Sequence, residues 1–560
     1  MRRAPDTLDR SAVPQPTDDE LIDTWASQPA PLLPLLHAFH DRDGYLSDDA
    51  IRAVATGLKI PVADLFGTVT FYHHFSRKPG GLEAPRICDG PVCRMRGYDG
   101  LHAALTDASP MPCAGRCDGP IPVLTGHTVR VGTDAAKLED TATPLPPAYP
   151  GNGQECVFAS IREPDRATMD GYRRTGGYAA LEAVRKDPST VLDVLEASGL
   201  AGRGGAGFPT ARKWRAVAEA DARGGHKTIV CNADEGEPGC FKDRALMDHD
   251  PHALIEGMAI AAAVTGATVG FIYLRYEYPQ TLPILERALE EAKRAGMLGG
   301  FDLMVRRGAG AYVCGEETSL LNSLEGKHPF PRNRPPYPVT HGFNDRPTAV
   351  NNVETLCAVA PILRHGADWY RGLGLGEHAG TKLISLSGDV ARPGNYEVPI
   401  GLPLMELIND WAGGPLPGRS VQAATMAGLS GGFVAGDDLS VTLDEPSLRA
   451  KGSFLGAGGI MVFDDTRDMV DVSRQAMKFF AHESCGKCFP CRIGTQRLSE
   501  RLGDTGPRTL PVWQQEVIDI GSTMKATSAC GLGTAAPLIT DSLLRYFPER
   551  VQQHVERPQD

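Results

Sequence analysis

The chain has 560 residues, 42% hydrophobic and 22% charged, enough for several separate cores. With 57 Lys and Arg against 69 Asp and Glu, the net charge is −12. That field repels phosphate backbones and excludes nucleic acid as the expected partner, yet a local glycine loop can still hold a nucleotide.

Residues 1–17 are polar, with Pro5, Pro14 and Pro16, and are expected to form a flexible arm. The MRRAPDTLDR start is basic, but no apolar core or cleavage site follows, so no secretion signal is expected. Residues 18–80 predict a helical bundle. In LSDDAIRAVATGL, Ile51, Val54, Ala55 and Leu58 share one helical face, and Asp48 and Asp49 sit in the first turn. Residues 81–140 place four cysteines on short strand and loop pieces, with GHTVRVG (126–132) alternating as a strand. Pro and Gly dominate 141–155, which predicts a linker.

From 156 to 375, hydrophobic segments alternate with glycine-rich turns, the order expected of mixed α/β layers. KTIVCNADEGEPG predicts a buried strand opening into a binding loop, ATVGFIYLRYEY another strand, and PQTLPILERALEEAKRAGM an amphipathic helix from about Thr281. Gly257 to Leu274 is uncharged, but its small and polar residues predict a buried helix and strand instead of a membrane span. Residues 376–460 predict a compact sheet-and-helix module, because TKLISLSGDVARPGNYEVPIGLPLMELI has two strands about a turn and then a short helix. Residues 461–560 turn helical around a cysteine-rich loop.

Thirteen cysteines in a chain without a secretion signal point to reduced, metal-holding thiols in the cytoplasm, not to disulfides. Cys485, Cys488 and Cys491 repeat every third residue, and Cys530 follows at a distance. Three close thiolates and a remote fourth suit a [4Fe–4S] cubane; structural zinc, which more often takes two pairs, is the rival. Cys88, Cys93, Cys113 and Cys117 form two pairs, which permits a [2Fe–2S] centre, zinc or inert buried thiols.

Glycine and acidic loops supply the second signal. In GLAGRGGAGFPTARKW, Gly202, Gly204, Gly205 and Gly207 allow close approach of backbone to a ligand, and Arg203 and Lys213 suit phosphate. The loop lacks the Gly-Lys-Ser/Thr end of a P-loop. In CNADEGEPGCFKDR, Asn232, Asp234, Glu235 and Glu237 crowd one turn; carboxylates accept from ribose hydroxyls, and an Asn can meet a flavin edge. A later stretch presents Tyr312, Gly315, Glu316 and Glu317 before a helix, and Asn351 and Asn352 precede Glu354. Each has a plainer reading as a glycine loop, a hydrated turn or a helix cap.

Taken together, GRGGAGFPT (202–210), CNADEGEPG (231–239), GAYVCGEET (310–318), NNVET (351–355) and ESCGKCFPCRIG (483–494) resemble the flavin-containing NADH-binding subunit of respiratory NADH dehydrogenase and its relatives in NAD-linked formate dehydrogenases and NAD-reducing hydrogenases. Residues 18–135, including FGTVTFYHHFSRKPG (66–80), are similar to the smaller [2Fe–2S] subunit of those enzymes. The family has a much longer segment between its cysteine pairs than the one separating Cys93 from Cys113 here.

The resemblance implies a helical bundle, a thioredoxin-like domain, an FMN- and NAD(H)-binding α/β domain, a ubiquitin-like β-grasp module and a helical iron–sulfur domain. It implies noncovalent FMN cradled by Gly202, Arg203, Gly204, Gly205 and Lys213. Asn232, Asp234 and Glu235 would lie around the isoalloxazine and ribityl, with Tyr312, Gly315, Glu316, Asn351 and Asn352 contributing. NAD(H) would stack near Phe208 and Tyr337, with Glu237 and Glu317 on ribose or nicotinamide and Arg334 where the family often has Lys. The eight clustered cysteines would ligate [4Fe–4S] and [2Fe–2S], and no residue is expected as a catalytic nucleophile. Fusion of the two parts in one chain implies the formate dehydrogenase or hydrogenase branch, and the leading expectation is the beta, or diaphorase, subunit of a cytoplasmic NAD-dependent formate dehydrogenase. Its alpha partner would carry molybdenum or tungsten and iron–sulfur clusters, in a dimer of heterodimers. The alternative is the diaphorase of an NAD-reducing hydrogenase.

Overall fold

The structure, a computed structural model, describes residues 15–150, 153–503 and 509–556. The expected arm lies outside the described residues except for 15–17. From there, four helices follow, Asp18–Ala26, Leu32–Asp43, Asp48–Leu58 and Val62–Phe71. Thr17 and Glu20 close a reciprocal cap on the first, and Ser47 caps the third through the Ala50 N–H. Ala50, Ile51, Val54 and Ala55 are the buried face of the third helix.

Next comes a small sheet of β1 (Arg86–Cys88), β2 (Ser109–Met111), β3 (Pro122–Thr125), β4 (Thr128–Val131) and β5 (Glu139–Asp140), in the order β2-β1-β3-β4-β5. β1 and β2 are parallel and the other pairs antiparallel.

The larger layer is a parallel sheet of β6 (Thr228–Ala233), β7 (Val269–Leu274), β8 (Asp302–Arg307) and β9 (Thr348–Asn352), ordered β8-β7-β6-β9. The chain moves outward from β6 to β8 and then returns to β6's other side. The strand order therefore reverses between β6 and β9, the place where open parallel sheets leave a crevice beyond their carboxyl ends.

A parallel sheet needs cover on both faces. Ile229, Cys231, Ile272 and Leu274 pack with the buried helices Pro251–Thr265 and Val353–His365. The alternate residues Val230, Phe271, Tyr273 and Val350 pack with Leu35, Leu36 and Phe39 of the amino-terminal bundle and with Leu320 and Leu321. The bundle is thus the second cover of the flavin-domain sheet. Tyr72 and Tyr273 hydroxyls both meet Ser323 Oγ, at 2.7 and 2.8 Å, and His37 Nε2 donates to the Gly308 carbonyl at 3.0 Å.

A second mixed sheet, β10 (Thr381–Gly388), β11 (Gly394–Pro399), β12 (Val421–Thr425), β13 (Phe433–Ala435) and β14 (Gly459–Asp464), runs β11-β10-β14-β12-β13. Counted within the module the order is 2-1-5-3-4, with the first and last strands parallel at its centre and Leu404–Trp411 helical. That is the ubiquitin-like β-grasp order. The sheet continues to Asp464, so a boundary at 460 would cut its central strand. Glu397 fastens it to the flavin domain by accepting the Cys156, Val157 and Phe158 N–H groups at 2.7–3.1 Å.

Helices Met469–Glu483, Phe489–Leu502, Leu510–Thr527, Gly531–Ala535, Pro537–Tyr546 and Pro548–Val555 form the carboxyl-terminal unit. Among the described residues no single helix is long and apolar enough to cross a membrane. Gly257 to Leu274 is a buried helix followed by β7.

Phe271 is fully buried where the bundle meets the sheet. Phe271→Ala should cost about 3–5 kcal/mol. Thermal melts should shift down, and limited proteolysis should cut the amino-terminal bundle earlier than in the parent protein.

Candidate functional site

The crevice beyond β6 and β9 collects the glycine and acidic loops. Residues 202–208 form a loop pinched by the Ala201–Pro209 bridge and the Gly202 N–H to Phe208 carbonyl bond at 2.9 Å. Gly204 lets the loop lie close on β9, since a Cβ there would stand 3.0 Å from the Asn352 Cβ and push it aside. Gly205 has φ +125°, a conformation that side chains rarely adopt.

Asn232, at the end of β6, donates from Nδ2 to the Gly315 carbonyl at 2.7 Å, and its Oδ1 accepts the Asp234 N–H at 3.2 Å. Asn352, at the end of β9, caps the next helix through the Glu354 N–H and donates to Asp243 at 2.6 Å. Asn351 is buried and accepts from Trp214 Nε1 at 2.8 Å. Glu316 caps the helix Glu317–Leu324 through the Thr318 and Ser319 N–H groups. A chain of alternating charge crosses the crevice: Lys213 meets Glu317 at 3.2 Å, Glu317 meets Arg334 at 3.4 Å, and Arg334 also binds Glu316. Phe208 and Tyr337, from two different motifs, remain 47% and 55% exposed, unusual for large aromatic side chains.

Four residues expected to touch cofactor are engaged by the protein instead. Arg203 is buried, and its guanidinium donates to the Tyr370 hydroxyl at 2.6 Å, so it is not free for phosphate. Glu235 accepts the Asp243 and Arg244 N–H groups and the Tyr278 hydroxyl, which fixes the start of the helix Lys242–His249. Glu237 accepts from Leu429 and Ser430 of the β-grasp module and from the Tyr312 hydroxyl. Tyr312 donates its N–H to Glu483 at 2.9 Å, joining the flavin domain to the carboxyl-terminal unit. Glu237 and Tyr312 bond each other and tie neighbouring domains together, whereas Arg203 and Glu235 are held within their own domain.

Asp234 is different. Its Oδ2 is buried without a partner, and burial raises its pKa well above the carboxylate range, with Arg275 opposing. A buried polar atom left unpaired at the crevice fits a polar ligand such as a flavin edge. With the glycine cradle, these residues fit FMN.

Cys485, Cys488, Cys491 and Cys530 line one pocket with Val313, Pro331, Ser484, Lys487, Ala529 and Leu532. Cys488 and Cys530 stand at the starts of the helices Phe489–Leu502 and Gly531–Ala535, which is how a triple and a remote single thiol meet. Burial pushes Cys491 up to about 12, so four thiolates share this pocket only around a cationic core. Val313 belongs to the same 3₁₀ turn, Tyr312–Gly315, whose Gly315 meets Asn232. One turn therefore separates the crevice from the thiol pocket. Glu483 braces the junction, accepting from His73 Nε2 at 3.0 Å and from His482 Nδ1 at 3.3 Å.

Cys88, Cys93, Cys113 and Cys117 are all buried, with Cys113 and Cys117 sulfurs 3.6 Å apart. The Ala114 and Gly115 N–H groups donate to the Cys88 and Cys113 sulfurs at 3.4 Å each. Hydrogen bonds from Cys117 and Cys88 hold Cys113 well below the usual thiol range. The short segment between the pairs still brings all four together, because β1 and β2 run side by side and deliver Cys88 next to Met111. A further cluster, His37, Asp41 and His74, suits no cation: Arg86 donates to His74 Nδ1 at 3.1 Å and Arg307 pairs with Asp41 at 2.5 Å.

Comparisons with known proteins follow the same domain order. Residues 195–361 match the Nuo51 FMN-binding domain, 471–554 the NADH-ubiquinone oxidoreductase-F iron–sulfur binding region, 19–112 a thioredoxin-like [2Fe–2S] ferredoxin and 383–436 an SLBB domain. The second F-type subunit of the NADH-quinone oxidoreductase of Rhizobium meliloti is 43% identical over 71% of this chain and 97% of its own length. The chain belongs to the family of F-type subunits of NADH-quinone oxidoreductase. NAD-reducing hydrogenase HoxS subunit alpha of Cupriavidus necator is 33% identical over 96% of this chain and 94% of its own length. An H2-reduced NAD+-reducing [NiFe]-hydrogenase structure superposes with a TM-score of 0.82 at 32% identity, covering 95% of this chain and 94% of that one. As a member of this family, the protein is an oxidoreductase subunit that uses NAD(H), FMN, [4Fe–4S] and [2Fe–2S].

Cys530→Ser should remove the [4Fe–4S] electron paramagnetic resonance signal while FMN stays bound. Asp234→Ala should weaken FMN retention by about tenfold to a hundredfold, as loss of a buried hydrogen bond does. Equilibrium dialysis against FMN, read by flavin fluorescence, checks the second.

Proposed function

We propose that the chain is the diaphorase subunit of an NAD-reducing hydrogenase-type complex in the cytoplasm. It would exchange hydride between NAD(H) and FMN and relay electrons to or from a metal-containing partner subunit. One observation supports the hydrogenase arrangement above the others: similarity to HoxS subunit alpha runs through the amino-terminal bundle and both cysteine sets, over 96% of the chain. Fusion of the two parts fits formate dehydrogenases and hydrogenases alike; the relatives favour the hydrogenase.

When bound, FMN supplies the step between two-electron and one-electron chemistry. The chain's own residues do the rest. Gly202, Gly204 and Gly205 shape the cradle, and Asn232, Asp234 and Asn352 offer polar atoms from the ends of β6 and β9. Phe208 and Tyr337 present the ring faces on which NAD(H) bases stack. Lys213 and Arg334 offset Glu316 and Glu317, so the entrance is polar without a strong net charge. The turn Tyr312–Gly315 keeps the thiol pocket of Cys485, Cys488, Cys491 and Cys530 against the crevice. Cys88, Cys93, Cys113 and Cys117 would hold [2Fe–2S] on the bundle side.

The complex isolated anaerobically with its partners should contain nickel and reduce NAD+ with hydrogen. Metal analysis that finds molybdenum or tungsten instead, with formate-driven NAD+ reduction, overturns the hydrogenase arrangement in favour of formate dehydrogenase.

A further inference from the structure

The [2Fe–2S] loop is clamped by a segment of the flavin domain that none of the sequence motifs contains. Arg275, just past β7, is 3% exposed. Its Nη2 donates to the Cys113 carbonyl at 2.6 Å and its Nη1 to the Glu235 carbonyl, inside the CNADEGEPG motif. A single guanidinium therefore touches the thiol loop and the flavin loop together. Glu277, also buried, pairs with the same guanidinium through Nε and Nη2, both at 3.0 Å.

The neighbours add to the clamp. Tyr278 packs so tightly on the loop that a Cβ at Gly115 would fall 2.2 Å from its hydroxyl. Arg244 donates to the Gly115 carbonyl at 2.7 Å and pairs with Asp118 at 2.8 Å. Arg116 reaches Gln280 at 2.6 Å. The thioredoxin-like match ends at 112, so the clamped loop lies beyond it.

We propose that Arg275 is the positioning residue that sets the reduction potential of the [2Fe–2S] centre and holds its loop in register with the flavin loop. The inference rests on ligation by Cys88, Cys93, Cys113 and Cys117. A cluster with four thiolate ligands is an anion, and it gains one more negative charge when it takes up one electron, ultimately from NADH; no bond forms or breaks. A buried cation bonded to the carbonyl of a ligand residue stabilises the reduced form more than the oxidised one. Glu277 limits that effect, because its carboxylate pairs with the same guanidinium and offsets its charge. The two residues thus act in opposite directions on one couple.

The test is a dithionite titration of the intact complex, followed by electron paramagnetic resonance of the [2Fe–2S] signal. Arg275→Met should shift the ratio of reduced to oxidised cluster about tenfold toward oxidised at a given potential, about 59 mV for one electron. Arg275→Lys should keep most of the parent value, and Glu277→Gln should move it the opposite way. The [4Fe–4S] midpoint should stay put in all three, which a general loosening of the fold would not allow. If Arg275→Met loses the cluster, the direction of the Glu277→Gln shift decides. Midpoints that stay at the parent value in the variants retaining the cluster overturn the inference. Cys113→Ala separates the two levels. Loss of the [2Fe–2S] signal there with unmoved midpoints elsewhere sinks only the role of Arg275. A surviving signal sinks the ligand assignment and the inference with it.

Discussion

Everything in this molecule is arranged around a parallel sheet that must be covered on both faces and left open at its carboxyl ends. Buried strands such as TIVCNA and VGFIYL carry apolar side chains on either side. One face takes the helices of its own domain and the other the amino-terminal bundle. With both faces sealed, the sheet leaves room for a ligand at the end where the order reverses, between β6 and β9.

The same constraint brings the redox groups together. The bundle that seals the sheet is followed by the small sheet bearing four thiols. The loop leaving β8 passes through the turn Tyr312–Gly315, with the crevice on one side and the cubane pocket on the other. Polar struts hold these units in place: half-buried Glu237 to the β-grasp module, buried Glu483 to Tyr312 and His73, and buried Glu397 to the start of the flavin domain. Each strut is a carboxylate satisfied by several donors, which offsets what its burial costs.

Much of this was legible in the sequence. Cysteine spacing separated a triple-plus-one from a pair of pairs, and turn residues marked the glycine loops. Strand alternation in TKLISLSG and NYEVP marked a compact sheet-and-helix module, which the family resemblance made β-grasp. Three things were hidden. Strands DLMVRR and TAVNN are short and carry Arg or Asn, so Asn351 and Asn352 read as a polar turn and not as the end of β9. The bundle's role as a cover depends on contacts far apart in the chain, which local periodicity does not reveal. The fates of Arg203, Glu235 and Glu237 were also hidden, since a charged side chain that satisfies the protein's own groups and one that binds a cofactor use the same residue types. RYEYPQ, which grips the [2Fe–2S] loop, looked like the tail of a strand.

The most direct measurement of the central claim is anomalous diffraction at the iron edge from crystals of the anaerobically prepared protein. Iron should appear at two places, among Cys485, Cys488, Cys491 and Cys530 and among Cys88, Cys93, Cys113 and Cys117, with flavin density over Asn232 and Asn352. Iron at other side chains, or flavin seated away from the ends of β6 and β9, would contradict the account.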